Sequence, residues 1–168
     1  MNWPLICNSI EFDNACNDYD AADISKVKIV KIDSEYSKFY VSPLYRSKET
    51  ARRVFPNRAY YEIDVEEVPL KSFTDCSFKM PLWIWNIMGR LQWYINSSRQ
   101  EEKRIDTVQR CKRIILDLEC KNENCIIVTH GFFMKTFIKC LKQQGYTVSN
   151  NKMGISNLHF IYAEKQLN

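Results

Sequence analysis

Glycine and proline are scarce, with four Gly and five Pro in 168 residues. That excludes collagen-like and low-complexity chains, which need those residues in bulk. Histidine is scarcer still: His130 and His159 are the two in the chain. Seven cysteines are present, an odd number, and none stands in Cys-x-x-Cys spacing. Ligands scattered in this way do not build a zinc centre, so no metal is expected. Met1-Asn2-Trp3-Pro4 has neither the basic start nor the apolar core of an export leader. Isolated thiols without export read as reduced cysteines of a cytoplasmic protein. The uncharged stretch 81–89 falls far short of the roughly 20 apolar residues that span a bilayer. Charge is nearly balanced, 24 Lys and Arg against 20 Asp and Glu, a net +4. That is too mild for a nucleic-acid partner without a clustered basic face. What remains is a 45% hydrophobic chain, expected to fold as one domain over residues 1–168 with neither membrane nor nucleic acid as partner.

The hydrophobic pattern alternates between two periods. After Asn8-Ser9, a capping pair, Phe12, Ala15, Cys16 and Tyr19 recur at helical spacing. Short strands are predicted over 27–32 and 38–41. The second stops at Ser42-Pro43, where Ser as N-cap and Pro at the first helical position predict a new helix. Leu44, Ser47, Ala51 and Val54 line its inner face, and Pro56-Asn57 ends it. A third strand is predicted over 60–65. The aromatic-rich stretch 69–96 follows, helical in its second half, with Gly89 as a weak point. A long helix carries Ile105, Val108, Ile115 and Leu118 on one stripe, with Lys and Arg outside. Residues 125–129 form a continuous apolar run, the signature of a strand buried on both faces of a parallel sheet. A helix over 132–144 closes at Gly145, and a last strand is predicted over 157–163. Strands alternating with helices specify an α/β fold of three layers, a mostly parallel central sheet with helices on both faces.

Two segments carry chemistry. In Val128-Thr129-His130-Gly131-Phe132 a strand ends in His-Gly just before a helix. Open α/β sheets bind ligands at the carboxyl ends of strands, where helix N-terminal N–H groups face an anion. Gly131 lets the backbone approach, and His130 points into that crevice. The second segment, from Tyr40 to Ala51, is also a strand feeding a helix, and it places Arg46 in the first turn. A guanidinium there opposes the helix dipole, which makes sense if an anion is shared with the N–H groups. An imidazole and a guanidinium at neighbouring strand ends suit a phosphoryl group.

Ser42-Pro43-Leu44-x-Arg46-x-x-x-Thr50-Ala51 resembles the Ser-Pro-Leu-x-Arg-x-x-x-Thr-Ala pattern of the histidine phosphatase (phosphoglycerate-mutase-like) superfamily. Thr129-His130-Gly131 resembles the second histidine motif of the same family, and the order, spacing and long connecting helix agree over roughly residues 9–163. The resemblance implies a phosphoglycerate-mutase-like fold, a phosphorylated small-molecule substrate and no cofactor. It implies that Arg46 holds the phosphate, with Ser42 and Gly131 beside it, and that His130 stabilises the transferring oxygens. A carboxylic acid after the third strand protonates the leaving group. Glu67 is the candidate for that acid, with Glu66 and Glu62 as alternatives.

The departure lies at the front. The family's nucleophile is the histidine of an N-terminal Arg-His-Gly strand, and Arg-His-Gly does not occur in these 168 residues. Two explanations stand. In one, residues 5–14 are a decayed form of that motif, with Cys7-Asn8-Ser9 in its place. In the other, the chain begins after the motif and residues 8–19 are the family's first helix. Length favours the second, since strand and loop over 5–14 would leave about ten residues for a helix before residue 27. An amide nitrogen cannot replace imidazole as a nucleophile, so either way turnover is expected to be near nil. The functional readings are a phosphomonoester hydrolase of phosphohistidine type and an inactive pseudoenzyme that binds phosphorylated ligands. A missing interior strand also predicts re-pairing of the sheet, recruitment of residues 1–7, or self-association.

Other features read as structure. Cys125 and Cys140 flank the His130 segment, but a thiol on a buried strand or an apolar helix face stays protonated. The basic residues of the long helix are broken up by acids, as on a solvated face. Trp83, Trp85 and Trp93 belong either to a lid or insertion over residues 69–96 or to a small hydrophobic core.

Overall fold

In the computed structural model, which describes residues 3–22, 36, 38–149 and 160–165, a short strand, β1 (Ile6–Cys7), leads straight into helix α1 (Ser9–Ala21). Asn8 joins them through a capping box. Its side-chain oxygen accepts from Glu11 N–H at 2.9 Å, and its own N–H donates to the Glu11 carboxylate at 3.0 Å. Phe12 and Ala15 are buried on the inner face, as the helical spacing predicts. The alternative, strand and loop over residues 5–14, does not form.

Strand β2 (Lys38–Val41) feeds helix α2 (Tyr45–Val54), and β3 (Tyr61–Glu62) follows. Then come β4 (Met80–Pro81), α3 (Leu82–Tyr94), the long helix α4 (Arg104–Lys121) and β5 (Cys125–Val128). Helix α5 (Gly131–Gln143) and the strands β6 (Tyr146–Ser149) and β7 (Tyr162–Lys165) complete the described chain. The central sheet is parallel in the order β3-β2-β5, with Tyr40 opposite Tyr61 and Val41 opposite Val128. Two antiparallel ladders lie outside it, β1 with β4 and β6 with β7. Residues 6–7 therefore join a ladder of their own rather than the centre of the sheet.

Period-two alternation along β5 divides the interior into layers. Ile126 and Val128 face Phe39, Val54 and Phe55 on the α2 side. Ile127 faces the larger cluster of Cys111, Ile114, Ile115, Phe133 and Phe137, built by α4 and α5. Helices thus cover both faces of the sheet, the expected three-layer α/β arrangement. A third cluster sits under the front of the chain, where Phe12 stacks on Trp85 at 5.7 Å and Cys7 is fully buried. Among the described residues no helix is long and apolar enough to cross a membrane.

Several local expectations are revised. Helix α2 starts at Tyr45 with Leu44 as N-cap, and just ahead of it the Ser42 hydroxyl accepts from Leu44 N–H at 3.3 Å while also meeting His130 Nε2. The third strand shrinks to Tyr61–Glu62, and Val65 and Val68 enter the core from a loop. β5 is half-buried rather than buried, since among the described residues it pairs with β2 alone. On α4 the inner stripe runs through Thr107, Arg110, Cys111, Ile114 and Ile115, leaving Ile105 exposed. Trp85 and Trp93 are core residues and Trp83 is exposed. The last strand is Tyr162–Lys165, paired with a β6 that the pattern did not announce. The strand predicted over 27–32, and His159, lie outside the described residues.

Gly89 does not weaken α3; it lets the helix pack. A β-carbon there would sit 2.7 Å from Leu70 Cδ1 and 3.0 Å from the Lys71 carbonyl oxygen. Gly89→Val is expected to destabilise the chain by about 2 kcal/mol through overpacking, measured by urea unfolding. Unchanged stability would show that the 70–71 loop yields freely.

Candidate active site

The site forms where β2 and β5 end side by side. Their parallel register sets Val41 against Val128, so the residues that follow, Ser42 and Thr129-His130, leave the sheet together. Ser42 N–H extends the ladder by donating to Val128 O at 3.0 Å. His130 is the N-cap of α5, 8% exposed, and its Nε2 lies 2.9 Å from Ser42 Oγ and 3.0 Å from Ser47 Oγ. Both predicted segments therefore meet at one imidazole, across 88 and 83 residues of chain. Burial pushes that imidazole down to about 4, with Glu67 opposing the fall and Arg46 and Arg110 adding to it. At neutral pH His130 is an uncharged ring between two hydroxyls.

Arg46 lies in the first turn of α2. Its Nη2 donates to Asp20 Oδ1 at 2.9 Å, and its guanidinium sits 4.0 Å from the centre of the Tyr19 ring. Its Nε is buried and, among the described residues, lacks a hydrogen-bond partner. An orphaned donor on a guanidinium is a group that an oxyanion could satisfy.

The helix end expected to lie open is occupied. The Glu67 carboxylate accepts from Phe132 N–H at 3.1 Å and Phe133 N–H at 2.9 Å, the second and third residues of α5, and from Val68 N–H at 3.0 Å. The carboxylate takes the place that the sequence analysis gave to an anion, since both need the same N–H donors. Glu67 nevertheless lies within electrostatic reach of His130, Asp20 and Arg90. Glu66 is half-buried and lines an open cleft of about 400 Å³ with Asp64, Glu67, Glu102, Arg110 and Arg113. Glu62 is at the surface, paired with Lys48 at 2.7 Å.

Three contributors escaped the sequence analysis. Ser47 reads as an inner-face helical residue, and nothing in its spacing announces the contact with His130. Arg90 Nη1 donates to Val68 O at 3.1 Å, and its guanidinium lies 3.7 Å from the centre of the Phe132 ring. As the one charge in the 13 residues of α3, it carried a legible signal. Arg110 donates from Nη1 to Glu66 O at 3.2 Å and from Nη2 to both oxygens of Glu102. Among the described residues no group of three or more His, Cys, Asp and Glu is arranged to hold a metal ion. Burial raises the thiols of Cys7, Cys16, Cys111, Cys125 and Cys140 above the ordinary range, Cys16 to about 12, so none offers a thiolate nucleophile.

A family model described as histidine phosphatase superfamily (branch 1) matches residues 24–162 of the chain. No curated protein matches it. Among solved structures, a phosphoserine phosphatase from Entamoeba histolytica, in complex with 3-phosphoglyceric acid, is similar at a TM-score of 0.43 and 18% identity. That likeness covers 64% of this chain and 57% of the other.

The buried imidazole makes a prediction for stability. A histidine whose folded value lies below its unfolded value near 6.5 contributes no penalty above that pH. As pH falls below it, the unfolded chain binds a proton that the folded chain refuses, and stability is lost until about 4. Urea unfolding should show a loss on the order of 2 kcal/mol between pH 7.5 and 5 from this group. His130→Gln should remove most of that slope, and equal slopes would show that His130 protonates freely in the folded chain.

Proposed function

The chain belongs to the histidine phosphatase superfamily, and on that premise we propose that Arg46 and His130 form the phosphate-handling part of a phosphomonoester hydrolase site, with Glu67 as its candidate acid. The observation that carries this reading is the meeting of both motifs at one imidazole, with Ser42 and Ser47 hydroxyls on His130 Nε2 and Arg46 next to Ser47, its buried Nε without a partner among the described residues. In phosphohistidine chemistry an imidazole nitrogen attacks phosphorus, the ester P–O bond breaks, and the alcohol leaves with a proton from an acid. Water then cleaves the N–P bond. Arg46 and the uncharged His130 are suited to the phosphoryl oxygens, whose charge must be held in the transition state. Ser42 and Ser47 orient the ring, and Gly131 keeps the backbone beside it open. The substrate class is a phosphorylated small molecule.

None of the groups described supplies the attack. His130 Nε2 is engaged by two hydroxyls, Asn8 caps α1 through its side chain, and the buried thiols are protonated. These engagements favour a second reading, a pseudoenzyme that binds phosphorylated ligands without turning them over. Both readings place the compound against the same residues, and they part on activity alone.

The 168-residue chain should hydrolyse p-nitrophenyl phosphate at close to the background rate. Extension upstream through an Arg-His-Gly strand, where one is encoded, should raise turnover by several orders of magnitude. If no such strand is encoded and vanadate still binds, the binding reading holds. Arg46→Ala should weaken vanadate binding by roughly 1.5–3 kcal/mol, the range for a charge-assisted contact. His130→Ala should weaken it more than His159→Ala. Unchanged vanadate affinity in Arg46→Ala would remove Arg46 from the site, and hydrolysis by the chain as it stands would demand a nucleophile elsewhere.

A further inference from the structure

Arg46 already holds an anion. The Asp20 carboxylate reaches its Nη2 at 2.9 Å from the last turn of α1. The fit is partial: no contact engages Nε, which stays buried and unpartnered among the described residues. A guanidinium offers donors in a planar fork that suits two oxygens side by side. Asp20 fills one edge of that fork, whereas a tetrahedral oxyanion can satisfy Nε and an Nη together. Nor does the helix call for this carboxylate, because an acid in the last turn of α1 opposes the dipole. We propose that Asp20 is a placeholder for the phosphoryl group, competing with it for Arg46 and so setting the affinity of the site for oxyanions. The inference rests on the phosphate-site reading above and adds the residue that gates it.

The charges around Asp20 explain how it yields. Arg46 faces it from α2, Arg90 from α3 and Glu67 from the loop after β3. Burial raises the Asp20 carboxyl above its ordinary range; Arg46 opposes the rise, Glu67 adds to it and Arg90 opposes it. Cys16, one turn earlier on α1, is a protonated thiol, and His130 is uncharged near neutrality. A bound dianion would bring two negative charges to Glu67 and Asp20, four in all, against the two positive charges of Arg46 and Arg90. Coulomb repulsion then favours the form in which Asp20 has taken a proton or left Arg46. Lower pH therefore opens the site, and higher pH closes it.

Sulfate is the probe, because it stays a dianion from pH 7.5 to 5.5 and leaves only the protein to titrate. Isothermal titration of the 168-residue chain should show Asp20→Asn binding sulfate about tenfold more tightly than wild type at pH 7.5. Asp18→Asn, which removes the same charge from an exposed position on α1, should change affinity little. Wild-type affinity should rise as pH falls to 5.5, while that of Asp20→Asn stays level. That wild-type pH dependence also serves should the variant fold poorly. Arg46→Ala should abolish the gain. If sulfate binding depends on Arg46 but is the same in wild type and Asp20→Asn, the placeholder role is overturned and the phosphate site stands. If no Arg46-dependent binding occurs in either chain, the phosphate-site reading fails and takes the placeholder role with it.

Discussion

The seat of the Glu67 carboxylate on the first turn of α5 is the contact on which the rest of the site depends. A helix end leaves N–H groups that must find acceptors, and a side chain from the loop after β3 supplies them. The same loop is held from every side. Thr129 Oγ1 donates to Val65 O at 2.6 Å, Arg110 to the Glu66 carbonyl, and Arg90 to the Val68 carbonyl. Each arginine also lies over an aromatic ring of the very residues whose N–H groups hold Glu67, Arg90 over Phe132 and Arg110 over Phe133. Cation, ring, helix end and carboxylate are one assembly, and His130 stands at its rim as the helix cap.

Within that assembly charge is matched by number rather than by isolated pairs. Arg110 answers Glu102, and Arg46 answers Asp20. Arg90, largely withdrawn from water, has its guanidinium value lowered by burial, while Glu67, Asp20 and Glu102 hold it up. His130 stays outside this arithmetic because its burial keeps it neutral. An uncharged imidazole between hydroxyls adds nothing to the positive field, which here comes from the guanidinium groups.

Much of this was legible in the sequence where a residue answers to its own neighbours. The α1 face at Phe12 and Ala15 and the strand–His-Gly–helix turn are local patterns that landed where the pattern put them, whereas Tyr19 is exposed and α2 starts at Tyr45 rather than at Pro43. The expectation of an open α5 end went wrong because its occupant arrives from 65 residues away in the chain. Ser42 reads as a helix cap, and its hydroxyl does accept from Leu44 N–H, but its second partner, His130, comes from 88 residues away, where no local pattern points. By its basic neighbours Arg110 reads as one more solvated cation on α4, although it shares a stripe with Thr107, Cys111 and Ile114. Periodicity reports which face a residue is on and not what a cation on that face will find there.

The pairing of β2 with β5 carries a consequence for how the protein comes to exist. Lys38 is matched to Cys125 and Val41 to Val128, so the two strands that present these residues are separated by about half the chain. Closing so long a loop costs entropy before any contact repays it, and such pairings form slowly. Helices such as α4 and α5 can assemble from local contacts, whereas Ser42 and His130 meet only after the distant strands have found their register. No excised fragment that omits either strand can present this imidazole between its two hydroxyls. During synthesis the site is therefore among the last features to appear, since β5 and the first turn of α5 must leave the ribosome before β2 has anything to pair with.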